Sequence, residues 1–303
     1  MRIAIYGSGG IGGYFGARLA AAGNDVHFIA RGAHLQAMRQ HGLRVESGAG
    51  NLHIHPVSAT DDPADIGPVD TVMFAVKLWD VEPAARQLAP LLHERTVVIP
   101  FQNGIESSDL VKKHVPARHV LGGVAYIATG IKAPGVILHT GAMQRMQVGP
   151  GAEAFVQACK SAGINVEPTA DIERARWEEF VFLVGLSGVT ALARRPLGVC
   201  RADPDLRATL EAAMSETWRL GRHRGIDLAE DFVAERMRFV DTLHAEMRTS
   251  MQHDLENGGR LEAPWLCGAV ARMSEAAGLA APVNRSIYAA LKPYIDGSAL
   301  KAS

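Results

Sequence analysis

Apolar positions in the first half of the chain change period again and again. Ile3–Tyr6, Asp25–Ala30 and Thr96–Pro100 are short β-rich runs. Asp70–Val76 is continuously apolar, as expected of a strand covered on both faces. Between these runs Ile11–Ala22, Ala33–His41 and Val81–Leu92 carry helical spacing, and Pro83 suits the first turn of the last. Leu43–Ser58 alternates around Ser47-Gly48-Ala49-Gly50-Asn51, which predicts a β-hairpin insertion. Val120–Ile127 and Gly135–Val148 predict further strands, antiparallel at the sheet edge. Strand–helix alternation of this kind predicts an α/β domain with a doubly wound sheet and right-handed crossovers.

After about residue 165 the strand signals stop. Long helical patterns follow at Ile172–Ala193, Leu206–Arg224, Ala229–Arg248 and Pro264–Ala277. The boundary falls near Val166–Ala170, where Pro168 breaks the chain, giving an α/β domain over 1–167 and an all-helical domain over 168–303. Gly297–Ser303 is expected to fray.

With 303 residues, two domains are the natural expectation. A net charge of −1, with basic residues scattered among acids, offers no footing for nucleic acid or an anionic membrane. The longest apolar stretch, Phe180–Ala193, is broken by Gly185, Ser187 and Gly188. It falls short of the ~20 residues that span a bilayer, so it reads as a buried helix. Arg2 leads straight into the first strand with no signal peptide, so a soluble, cytoplasmic protein is expected. Cys159, Cys200 and Cys267 form no CxxC pair and read as small core residues, with no metal site among them.

Gly7-Ser8-Gly9-Gly10-Ile11-Gly12 satisfies GxGxxG between a strand and a helix, the context in which that spacing binds a dinucleotide. Gly7 permits the tight turn, Gly9 lets the backbone approach a pyrophosphate, and Gly12 lets helix and strand pack closely. The fold class expected is therefore a Rossmann-type doubly wound sheet followed by an all-helical C-terminal domain. The second strand ends in Phe28-Ile29-Ala30-Arg31-Gly32, without the acid that binds a ribose 2′-OH in NAD sites. Arg31 can instead clamp a 2′-phosphate, which favours NADP(H). Lys77 and Gln102-Asn103-Gly104 follow two further strands at the ligand edge of such a sheet. Asn-Gly serves more often as a plain turn, but its placement beside Lys77 favours a site.

Taken together, the glycine loop, Arg31, Ala75-Val76-Lys77-Leu78-Trp79 and Gln102-Asn103-Gly104 resemble the ketopantoate reductase (2-dehydropantoate 2-reductase) family. The resemblance continues through Trp177, at the head of an apolar helix, and Thr249-Ser250-Met251-Gln252-His253-Asp254 ahead of Glu262. It covers nearly the whole chain in the same order. It implies reduction of a 2-oxo acid with NADPH, in the family's case ketopantoate on the way to pantothenate. It implies cofactor positions at Gly7, Ser8, Gly9, Gly10, Ile11, Gly12, Arg31, Lys77, Asn103, Glu262 and the backbone of Ala128. Asn103, Ser187 and Ser250 are the implied substrate positions, and the helical domain, as a substrate and dimerisation domain, allows a homodimer.

The helical domain departs from the family. The catalytic lysine expected two residues after the tryptophan is Glu179, and the next substrate-binding asparagine is Leu183. A further asparagine is Ser187, another beyond Pro196 is Leu197, and the usual Ile-Asp-Tyr after Glu262 reads Ala263-Pro264-Trp265. Positions 179, 183 and 187 share one helix face. Hydride arriving at a ketone carbon leaves charge on oxygen, which lysine can neutralise and a glutamate only if it stays protonated. Glu179 is thus either an acid with a raised pKa or a surface residue beside Glu178. Three readings stand: a reductase slow on ketopantoate or specific for another 2-oxo acid, with Lys77 or Glu179 as the acid; a strict ketopantoate reductase; or an NADP(H)-binding sensor that has lost catalysis.

Overall fold

The computed structural model of the chain describes residues 1–297, so most of the tail expected to fray lies outside the described residues. The chain divides into two compact units, Met1–Gln102 with Glu106–Ile172, and Asn103–Ile105 with the residues from Glu173 on.

The first unit opens with β1 (Arg2–Tyr6), α1 (Gly10–Ala21), β2 (Asp25–Ile29) and α2 (Gly32–His41). β3 (Leu43–Ser47), β4 (Leu52–Ile54), β5 (Ser58–Thr60), β6 (Thr71–Phe74), α3 (Val81–Ala85) and β7 (Val97–Pro100) follow. The unit closes with α4 (Ser107–Lys112), β8 (Gly123–Ala133), β9 (Val136–Val148), α5 (Glu153–Ser161) and β10 (Asn165–Pro168). One parallel sheet has the order β5-β2-β1-β6-β7, the doubly wound arrangement expected. Tyr6 pairs with both Ile29 and Phe74, so three strands end level and present Gly7, Arg31 and Lys77 from one edge.

The predicted hairpin forms between β3 and β4, but β8 and β9 do not extend the parallel sheet. Leu121 N–H still bonds Val98 on β7, and then Gly122-Gly123 carries the chain into a second sheet. There β9 pairs antiparallel with β8 along one edge and shares its other edge between β3 and β10. Because β10 belongs to that sheet, the first unit runs to Ile172, past the boundary expected at 167. α1 is buried between the two sheets and apolar apart from Arg18, whose guanidinium reaches out to the Ala49 and Gly50 carbonyls. Glycines make both approaches: a Cβ at Gly16 would come 2.6 Å from the Phe28 ring, and one at Gly13 would come 2.7 Å from Ile137. Overpacking of that kind costs about 1–3 kcal/mol. α3 stops at Ala85 and a short 3₁₀ turn follows, instead of a helix to Leu92, because Pro90 offers no N–H and disfavours a helical Ala89.

The second unit is helical: α6 (Ile172–Ala193), α7 (Leu197–Ala202), α8 (Pro204–His223), α9 (Phe232–Thr242), α10 (Ser250–Glu256), α11 (Cys267–Ala276) and α12 (Pro282–Leu291). α6 matches its predicted span and runs through the core with Trp177, Phe180, Val181, Val184 and Val189 buried. Gly185 lets α8 approach, since a Cβ there would lie 2.6 Å from Met214. Asp203 caps α8 by accepting from Asp205 and Leu206 N–H, a bond worth about 1 kcal/mol. α9 is shorter than the pattern over Ala229–Arg248. The Trp218 and Arg222 side chains take the carbonyls of Ala229 and Leu228 at its entrance, and Arg201 takes those of Val240, Asp241 and Leu243 at its exit. The helix expected over Pro264–Ala277 starts as a 3₁₀ turn and becomes α-helical at Cys267. All three cysteines are buried core residues. Among the described residues no helix is long and apolar enough to cross a membrane, and no group of His, Cys, Asp and Glu could hold a metal.

Candidate functional site

The glycine loop joins the level end of β1 to α1. Gly7 has φ +97°, which only glycine adopts freely, and a Cβ there would strike the backbone of Ala75 and Val76. A Cβ at Gly12 would strike the Gly7 carbonyl and Ile5. Gly9 is the exception, because a Cβ there meets no atom within 4 Å. Only at Gly9 of these three does the backbone border open space. Gly9 is also the N-cap of α1, with no side-chain cap and no acid in the first turn, so the free N–H groups of Gly10, Ile11 and Gly12 and the positive dipole end are available to an anion. Ser8 faces inward: its N–H and hydroxyl both bond the Ile29 carbonyl, as does Gly7 N–H.

Arg31 caps α2 immediately past β2, and its guanidinium lies 3.7 Å from the Asp80 carboxylate, with side chains 55% and 37% exposed. An exposed pair at that distance holds Arg31 weakly. The Tyr6 hydroxyl bonds Gln87 and interacts with Arg31; burial pushes its pKa up, and Arg31 draws it back. Lys77 follows β6 on the same edge, exposed, with its ammonium 5.5 Å from the Trp79 ring centre. Gln102 is tied to the Phe74 carbonyl, which fixes the start of the Gln102-Asn103-Gly104 turn. Ala128 sits at a register shift of β8, and its neighbour Thr129 packs onto the loop, 2.7 Å from where a Gly10 Cβ would stand. The Thr129 hydroxyl is buried there with no hydrogen-bond partner among the described residues. The structure thus gathers Gly7–Gly12, Arg31, Lys77 and Ala128 around one end of the first unit.

The remaining candidates lie in the second unit. Glu178 turns to an ion pair with Arg174 one turn back, 2.8 Å away. Glu179 does not share that fate. It keeps some solvent contact, yet desolvation dominates, raising its pKa from 4.5 to about 8, with Glu262 adding to the rise and Arg176 opposing it. Glu179 is therefore protonated at neutral pH. Arg176 is 5% exposed and bonds Glu173 and the Ile105 carbonyl, which pins the segment carrying Asn103 to α6. Glu262, 6% exposed, caps the turn before α11. Ser187 is buried one turn beyond Leu183. Three residues further on, Thr190 bonds Thr249, the N-cap of α10, which places Ser250. The sequence reading did not single out Arg176, Asp80 or Thr129; each acts on a segment far away in the chain, and no local pattern marks it.

A Rossmann-type unit with an uncapped glycine loop at its first helix, followed by a helical unit, is the plan of a two-domain oxidoreductase. The chain belongs to the ketopantoate reductase family: residues 3–153 match ketopantoate reductase PanE/ApbA, and residues 171–295 match the C-terminal part of that family. It is 32% identical to the 2-dehydropantoate 2-reductase of Archaeoglobus fulgidus, over 94% of this chain and 95% of that one. It is 30% identical to the uncharacterized oxidoreductase YkpB of Bacillus subtilis, over 97% and 99% of the two chains. The crystal structure of a PanE/ApbA family ketopantoate reductase from Ralstonia eutropha superposes with a TM-score of 0.90 at 29% identity, covering 97% of this chain and 98% of that one.

Proposed function

We propose that this chain reduces a 2-oxo acid to the 2-hydroxy acid with NADPH, with Glu179 in its protonated form as the acid. The observation that carries this reading is the glycine loop, closed to a side chain at Gly7 and Gly12 and open at Gly9. When bound, the nicotinamide supplies hydride to the carbonyl carbon. Charge gathers on the carbonyl oxygen, and Glu179 donates its proton to that oxygen. The carboxylate left behind regains a proton from water, because its value of about 8 favours the neutral form at pH 7. A neutral acid also avoids repelling the substrate carboxylate. Asn103, Ser187 and Ser250 are the proposed substrate contacts, and Lys77, Ala128 and Glu262 complete the proposed cofactor set.

Leu183 and Ser187 offer less hydrogen bonding than the amides the resemblance implies there, which supports a 2-oxo acid with a more apolar side chain than ketopantoate. NADPH consumption across a panel of 2-oxo acids that includes ketopantoate tests the proposal. Turnover is expected with at least one member, falling as pH rises through about 8, where Glu179 loses its proton. No consumption with any member at pH 6–7 would leave the sensor reading in place.

Cofactor choice rests on Arg31. Its loose pairing with Asp80 leaves the guanidinium able to take a 2′-phosphate, and losing such a charge-assisted bond costs on the order of 1.5–3 kcal/mol. Arg31→Ala is expected to weaken NADPH binding at least about tenfold and leave NADH nearly unchanged, by fluorescence titration. Equal affinities for the two cofactors in the unaltered protein would overturn the assignment.

A further inference from the structure

We infer that His34 is a positioning residue that sets the peptide between Ser8 and Gly9 for the cofactor pyrophosphate. The inference rests on the proposal that the Gly7–Gly12 loop holds that group. His34 lies in the first turn of α2, half-buried, with a bond at each ring nitrogen. Nε2 is 2.9 Å from the Ser8 carbonyl oxygen, and Gly135 N–H donates to Nδ1 at 3.1 Å. An N–H can only donate and a carbonyl can only accept. Nδ1 is therefore the bare nitrogen, and Nε2 carries the proton it gives to Ser8. The two partners choose the tautomer between them.

The peptide plane turns this bond into an aiming device. In a trans peptide the carbonyl of one residue and the N–H of the next point in opposite directions. Holding the Ser8 oxygen towards α2 therefore aims the Gly9 N–H away from α2, and Gly9 is the residue whose Cβ direction is open. Gly135, at φ +77°, is the turn between β8 and β9, the same hairpin that places Thr129 against Gly10. The loop is thus held from β2 through the Ile29 carbonyl, from α2 through His34, and from the hairpin.

A second proton would undo the arrangement. It would set an N–H at Nδ1 against the Gly135 N–H, so the hairpin bond is lost on protonation. Burial holds His34 below the ordinary histidine value, opposed by its bond to Ser8. The charged or titratable groups of the surrounding elements are Arg31 at the N-cap of α2, Arg39 and His41 on α2, Tyr14 and Arg18 on α1, Arg44 and Glu46 on β3, His53 on β4, Tyr126 and Lys132 on β8, and His139 and Arg145 on β9. None of them is among the causes of the shift, and Lys132 is paired with Glu46.

NADPH titrations of the full-length protein and its variants test the inference. His34→Ala is expected to weaken binding about tenfold at pH 8, the scale of one lost hydrogen bond. His34→Gln carries both a donor and an acceptor and is expected to stay within about threefold of the unaltered protein. Between pH 8 and pH 5 the unaltered protein is expected to lose about threefold more affinity than the Gln variant, because the lowered His34 value leaves the ring only partly protonated there; titration of the cofactor's own 2′-phosphate cancels in that ratio. If His34→Ala binds like the unaltered protein, or the Gln variant keeps the same pH profile, His34 does not position the loop. Should His34→Ala fail to fold, the Gln variant and its pH profile still decide. Gly9→Val separates the two levels: if it too binds NADPH normally, the loop reading fails, and with it the premise.

Discussion

Replacing Glu179 by lysine is expected to raise the rate of ketopantoate reduction about 10²-fold, the lower end for a well-placed acid–base group. In the proposed mechanism Glu179 donates a proton but does not bring the positive charge that a lysine at the same position would. A lysine there would meet the same desolvation that lifts Glu179, which disfavours an ammonium, and Arg176 would add repulsion. The Glu262 carboxylate opposes both, and a partly desolvated lysine is still a good proton donor near neutral pH. The gain with Glu179→Lys alone is limited by substrate contacts, since Leu183 and Ser187 still lack amides. Adding Leu183→Asn and Ser187→Asn is expected to improve the rate more than additively, because all three positions would act on one bound molecule. Steady-state rates for the single and triple variants decide this. Brisk turnover of ketopantoate by the unaltered protein, with no change in Glu179→Lys, would show that α6 is not the catalytic element.

Gly9→Val is expected to remove cofactor binding while the fold survives. The added side chain meets no protein atom at its Cβ, so it costs the folded chain little, in contrast to Gly12, where the Gly7 carbonyl and Ile5 leave no room. What it fills is the approach to the first amides of α1. Losing two or more charge-assisted bonds to phosphate at about 1.5–3 kcal/mol each weakens binding by roughly 10²–10⁴-fold. Titration of NADPH, with a melting curve to show the fold intact, is the measurement. Undiminished affinity would rule out this loop as the phosphate cradle.

The parallel sheet and the glycine loop were legible in the sequence because each depends on neighbours within a few residues. β1, α1 and β2 need only an apolar run, a turn of glycines and a second run. The second sheet was not legible, because β9 divides one of its edges between β3 and β10, and no period in the chain announces which strands a long hairpin will meet. The ends of α9 escaped for a similar reason, being set by Arg201, Trp218 and Arg222 from other helices. α5 and α12 also went unread. The four-residue spacing of Glu179, Leu183 and Ser187, positions that the family resemblance singles out, puts them on one face of α6. Whether Glu179 turned to solvent or kept a proton depended on its surroundings, and burial decides for the proton. His34 was invisible because its meaning lies in Gly135, 101 positions away.

The chain lends three residues from the middle of its first unit to its second. Asn103–Ile105 counts with the helices, and the Ile105 carbonyl accepts from Arg176, a guanidinium almost wholly out of water. A single cut near residue 172 would take that acceptor from a buried cation, at a penalty that grows steeply when a charged donor is left unmatched. The helical half cut at that point is therefore not a free-standing cassette. A chimera that exchanges the helical half with a relative has to carry the 103–105 strap along.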